Sequence, residues 1–142
     1  MISGSTWIVW LHLLAAAMWL GGAMVTLSAI LPVSRDEAGR EAAKRALFLT
    51  SRAMEAAVVT GVLNVLLRVM ASGAFSRGFV AMLSLKVGLV IVMAALQVWA
   101  GIAWKRPIVD VATAARRARV GLTVLLVLGA VVLLLGLGVR SV

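Results

Sequence analysis

Cysteine is absent from the chain, which excludes disulfides, thiolate metal sites and covalent c-type haem attachment. Acidic residues are scarce: five Asp and Glu stand against fourteen Lys and Arg. Proline occurs twice, at Pro32 and Pro107, and histidine once, at His12. Any metal site must therefore draw on that one imidazole, on methionine, on a rare carboxylate or on backbone oxygen. A formal charge of +9 would point to nucleic acid in a soluble domain. Here the basic residues sit between hydrophobic spans, so no nucleic-acid partner is expected.

Hydrophobic length is what the sequence has in abundance. Of its 142 residues 63% are hydrophobic and only 13% charged, and the mean hydropathy is +1.12, far outside the range of soluble domains. Four runs are long enough to cross about 30 Å of hydrocarbon at roughly 1.5 Å per helical residue. They are Thr6 to Leu31, Ala53 to Ala71, Phe79 to Trp104 and Val120 to Val139. The first has no Lys or Arg before it and is longer than a signal-peptide core, so it is expected to remain as a span. The expected fold is all-α: one integral membrane four-helix bundle over 1–142, with helices at 6–31, 35–71 (membrane part 53–71), 79–104 and 118–139.

Charge placement gives the orientation. Ten cations lie in the two loops that follow the first and third spans: Arg35, Arg40, Lys44, Arg45 and Arg52, then Lys105, Arg106, Arg116, Arg117 and Arg119. Only Arg68, Arg77 and Arg140 belong to the other side. The positive-inside rule then places both loops in the cytoplasm and both termini outside, in a multi-pass membrane protein. Anionic lipid headgroups are the simplest partners for that basic surface.

Local signals refine the ends. Pro32 and Pro107 mark the ends of the first and third helices. Ser34 with Glu37 has the spacing of a capping box, and Asp36/Arg40 and Glu41/Arg45 have that of helical ion pairs. Arg52 and Glu55 are similarly placed where the second helix enters the membrane. The Ala71 to Gly78 turn is short, so the second and third helices should be antiparallel neighbours. Both hairpins follow the order span, proline, basic lead-in, span, at an offset of about 75 residues. Glycines 121, 129 and 136 lie near one face of the last helix, which suits close packing inside the chain or in a homodimer.

Ionisable and polar groups at membrane depth are expensive, so each is a functional candidate. His12, Asn64 and Lys86 all fall roughly 8 to 11 Å below the outer surface at about 1.5 Å per residue. Helical phase aligns His12 with Trp19, Thr60 with Asn64 and Arg68, and Lys86 with Met82, Met93 and Gln97. Turned inward, these stripes would line a pocket open to the outside. Imidazole and thioether favour copper, which makes His12 with Met82 or Met93 a candidate set. His12 could equally be an axial ligand of haem b, with Arg68 and Lys86 pairing the propionates. Trp19, Thr60, Asn64 and Gln97 would then line the pocket. The blander alternatives are an interhelical hydrogen bond for His12 and snorkelling for Arg68 and Lys86. Trp7, Trp10, Trp99 and Trp104 fit an interfacial belt.

Several stretches together resemble one family. "LHLLAAAMWLGGAM", "TGVLNVLLR", "LSLKVGLVIVMAALQVW" and "ARRARVGLTVLLVLGAVVLLL" are similar, in that order, to the membrane domain of the copper resistance protein D (CopD) family. The resemblance implies an inner-membrane protein of copper uptake or tolerance, with His12, Trp19, Asn64 and Lys86 as the corresponding positions. A periplasmic copper-binding protein is the partner it implies, and CopD proteins usually have more helices than this unit. A looser likeness, to the HemJ-type protoporphyrinogen oxidase, rests on the histidine of the first span and the Leu-Lys of the third. It implies haem b and, if the chain is an enzyme at all, a haem-dependent membrane oxidoreductase. A structural or assembly subunit of a larger membrane complex is the third class.

Overall fold

The computed structural model describes residues 4–72, 77–106 and 109–138. All regular structure among them is helical. The first span is α1 (Gly4–Val25), a π-helical turn (Thr26–Ile30) and the short α2 (Leu31–Val33). The others are α3 (Glu37–Ser72), α4 (Arg77–Lys105) and α5 (Val111–Gly138). All four spans have the length and apolarity to cross a membrane, and large Leu, Val and Ile side chains cover their outward faces. The chain is a multi-pass membrane protein in contact with lipid.

Two spans differ from their expected limits, each for a local reason. The first does not stop at Pro32. Proline lacks the N–H for an α-helical bond and its ring presses on the carbonyl four residues back. The wider π-turn absorbs this, with the Leu31 N–H bonded to the Thr26 carbonyl, and the rod runs on to Val33. α5 starts at Val111, not near 118, because Asp110 caps it: its Oδ1 accepts the Thr113 backbone N–H at 2.8 Å. That bond holds the Asp110 carboxyl below the usual carboxylate range. Arg116, Arg117 and Arg119 are thus helix-surface residues rather than a loop.

The α3 cap also differs from the expected capping box. Asp36 Oδ1 accepts the Gly39 N–H at 2.8 Å, while the Ser34 hydroxyl donates backward to the Ile30 carbonyl. Asp36 is therefore spent on the cap and not on Arg40. The Glu41–Arg45 and Arg52–Glu55 pairs form as spaced, at 3.3 and 2.8 Å. Pro107, Arg140 and most of the Ala71 to Gly78 turn lie outside the described residues, as do the surroundings of Gly136.

The bundle is two antiparallel hairpins, α1 with α3 and α4 with α5, joined by α3 against α4 and by the first span against α5. α1 and α5 close the ring, so α1 and α4 lie diagonally opposite. Eight of the sixteen buried hydrophobic residues are alanines, which lets the backbones approach closely. The hairpins bury matching positions: Ala43 and Leu47 on α3 correspond to Ala118 and Leu122 on α5 at the offset of about 75 already visible in the sequence. Gly121 packs on Ala100, Trp99 and Leu96, and Gly129 on Leu20 and Met93. These two glycines are therefore used inside the chain and not held for a dimer.

Candidate functional site

His12 sits where α1 crosses α3, half-buried. Its Nδ1 lies 2.9 Å from the Ala57 carbonyl oxygen and 3.2 Å from Thr60 Oγ1. A carbonyl only accepts, so Nδ1 carries the proton. The Thr60 hydroxyl spends its own proton on the Ala56 carbonyl at 2.6 Å and can accept from the imidazole as well. This assignment leaves the lone pair on Nε2. An N–H to a backbone carbonyl on one ring nitrogen is also the usual support for a histidine that ligates through the other.

Gly61 makes this seat possible. A Cβ there would stand 3.0 Å from His12 Cε1 and 3.4 Å from Nδ1, so the ring would have to give by a few tenths of an ångström. Gly61→Ala should therefore displace the imidazole and destabilise the protein by about 1 kcal/mol, the size of one strained buried contact. The check is SDS-induced unfolding in mild detergent. In a His12→Ala background the same substitution should cost nothing, because the obstructing ring is gone.

Around His12 the expected layer is partly assembled. Lys86 on α4 is half-buried and within electrostatic reach of the imidazole. Asn64 lies one turn beyond Thr60 on α3 and is half-buried. Arg68 is exposed, with its guanidinium 5.2 Å from the centre of the Phe79 ring, an arrangement that ties α3 to α4. The two methionines lie apart on α4. Met82 is 40% exposed and Met93 only 2%, packed against Gly129. Eleven residues of α4 separate them, roughly 16 Å of rise, so they cannot share one ion with His12. Among the described residues no three His, Asp or Glu side chains come together as a metal cage.

Trp19 and Gln97, expected to line a pocket, instead fill the bundle centre. Trp19 Nε1–H donates to Gln97 Oε1 at 3.4 Å, and Gln97 Nε2–H donates to Thr50 Oγ1 at 2.8 Å. The Thr50 hydroxyl in turn shares its proton between the Ala46 and Leu47 carbonyls, both at 3.0 Å. All three side chains are buried, so α1, α3 and α4 are joined by one directional chain of donors and acceptors. Thr50 was not singled out in the sequence. Its only sign there is that it shares a helical face with Ala43, Leu47 and Ala57.

A second overlooked residue is Arg40. It is 6% exposed, and its guanidinium donates to the Val109 carbonyl at 2.9 Å and the Arg106 carbonyl at 2.7 Å. With Glu37, Lys44, Trp104 and Lys105 it lines a cavity of about 140 Å³ at the basic end, far from His12. Trp104 is 1% exposed rather than interfacial, and its Nε1–H has no partner among the described residues. Trp7, Trp10 and Trp99 are exposed, as a belt requires. Comparison of the chain with protein-family models, curated proteins and solved structures gave no match.

Proposed function

We propose that this is a CopD-like inner-membrane protein that receives copper as cargo near the outer leaflet, the ion meeting His12 Nε2. The observation that carries the proposal is the Nδ1 bond to the Ala57 carbonyl, which fixes the ring and leaves one nitrogen to coordinate. The order of His-Trp-Leu-Gly-Gly, Thr-Gly-x-Leu-Asn and Leu-Lys motifs supports it, and the positive-inside charge bias puts His12 toward the periplasm. With room for at most one of Met82 and Met93 beside it, His12 is completed by water, backbone and the donors of a periplasmic copper carrier. A site with so few protein ligands exchanges its ion readily, which suits cargo better than a resident centre. No catalytic step is assigned, and the reading describes a non-enzyme.

One observation favours a second reading. Lys86 repels a bound cation but would welcome a carboxylate, so haem b could be held by His12 Nε2 with a propionate near Lys86. Bound there, haem would supply one-electron chemistry, and the chain would act as an electron-transfer subunit or HemJ-like oxidase. A further copy or partner subunit would be needed to enclose the porphyrin.

Copper competition with a chromophoric chelator, paired with a reduced-minus-oxidised visible spectrum of the same purified sample, separates the two. Stoichiometric Cu(I) weakened at least tenfold by His12→Ala is the expected result. A haem α-band that disappears in His12→Ala would replace copper with haem. Copper binding that His12→Ala leaves unchanged, with no haem band, would sink both. A tag in the connection between α2 and α3 should be shielded from external reagents in whole cells.

A further inference from the structure

At the basic end four cations are already engaged. Lys44 and Arg45 face Glu41 at 3.7 and 3.3 Å, Arg52 faces Glu55 at 2.8 Å, and Arg40 is spent on two carbonyls. The guanidiniums of Arg35, Arg116 and Arg119 have no ion pair or hydrogen bond among the described residues. Yet all three line one groove of about 560 Å³, between α2 and the first turns of α5. Arg35 comes from the end of the first span, and Arg116 and Arg119 stand three residues apart on α5. The positive charge therefore approaches from both walls.

The rest of the groove is apolar, with Leu31, Pro32, Val111 and Val120 among its walls. Its one other polar group, Ser34, already donates its hydroxyl to the Ile30 carbonyl at 2.7 Å. No carboxylate lines it. Three like charges gathered on a low-dielectric wall repel one another, and a bound anion reverses the sign of that interaction. Guanidinium is the side chain best shaped for phosphate, which it grips with two parallel N–H donors.

We infer that this groove binds an anionic phospholipid, with its phosphates on Arg35, Arg116 and Arg119 and its glycerol and upper acyl chain on the apolar wall. The mixed lining argues for a lipid over a free anion. The groove has the volume of a small-molecule site, which a lone phosphate would leave largely empty. Three cations with no acid among them favour a headgroup with two phosphates over one with a single charge. The groove also lies where two membrane-spanning helices leave the hydrocarbon, the level at which basic interhelical pockets meet headgroups.

Native mass spectrometry of the detergent-purified protein tests this with added cardiolipin, phosphatidylglycerol, phosphatidylethanolamine or inorganic phosphate. Cardiolipin should be retained at least tenfold better than phosphatidylethanolamine, and R35Q/R116Q/R119Q should lose that preference. R45Q/R52Q/R117Q removes the same three charges from outside the groove and should keep it. R35K/R116K/R119K keeps the charge without the two-pronged grip and should fall between. These side chains are exposed, so the variants should fold, and unchanged far-UV circular dichroism checks it. Equal loss in both glutamine variants would reduce the effect to diffuse charge and overturn the site. Displacement of cardiolipin by millimolar inorganic phosphate would overturn the lipid as occupant.

Discussion

Arg40→Ala should destabilise the protein by about 3 to 4 kcal/mol, more than any other single change at the basic end. The residue donates two charge-assisted hydrogen bonds, each worth roughly 1.5 to 3 kcal/mol. Both go to carbonyls of the link between α4 and α5: Arg106, one residue past α4, and Val109, two before α5 begins. The Arg106 carbonyl also accepts the Val109 N–H at 3.2 Å. Arg40, supplied by α3, thus clamps the link between the two helices. Its removal would take a donor from each carbonyl and loosen the connection that sets α5 against α4. Arg40→Lys, with one compact ammonium, can reach one carbonyl well and should cost about half as much. SDS-induced unfolding followed by tryptophan fluorescence measures both variants. Because no carboxylate is involved, the loss should hardly change between low and high salt, unlike that of a surface ion pair.

The sequence made Arg40 look ordinary. It stands four residues after Asp36, the spacing of a surface ion pair, and nothing local says that Asp36 is already used on the Gly39 N–H. The true partners lie more than sixty residues away, and single-sequence periodicity does not carry information over that distance. Where the controlling physics is local, the sequence carries more. Hydrocarbon thickness sets span length, so the four spans are visible as apolar runs. Depth and helical phase together placed His12 and Thr60 on facing stripes, and the two are in fact joined.

Helical phase turns Trp19 and Gln97 inward, yet there they fill the bundle centre and line no pocket. Phase orients side chains toward a bundle axis and does not distinguish a lined cavity from a filled one. The difference depends on close approach. Gly22 stands so near Thr50 that a Cβ would overlap the Thr50 methyl group, and such contacts let the polar groups close on each other. His12 illustrates the limit in the other direction. Its helical neighbours made an interhelical bond and a ligand role look like alternatives, yet the imidazole has two nitrogens. The Nδ1 bond occupies only one.

Gln97→Ala should cost about 3 to 4 kcal/mol and Gln97→Met only about 1, a contrast that separates packing from hydrogen bonding at the bundle centre. Alanine removes most of a fully buried side chain, and truncations of that size in packed interiors cost roughly 2 to 5 kcal/mol. Methionine nearly keeps the volume and loses only the two bonds. Interhelical hydrogen bonds in membranes average about 0.6 kcal/mol each. The two are unequal. At 3.4 Å the Trp19 bond is beyond the usual N–H···O range, whereas the Thr50 bond at 2.8 Å is well inside it. Trp19→Phe should therefore cost little through the lost N–H, while Thr50→Val, which leaves the Gln97 amide without its acceptor, should cost about 1 to 2 kcal/mol. Trp19 stands two turns below His12 on the same face of α1, so a loosened centre should also reach the site. If Nε2 of His12 is the copper donor, Gln97→Ala should weaken copper binding while Gln97→Met leaves it nearly intact. SDS unfolding and the chelator competition, run on the same purified variants, check the two halves together.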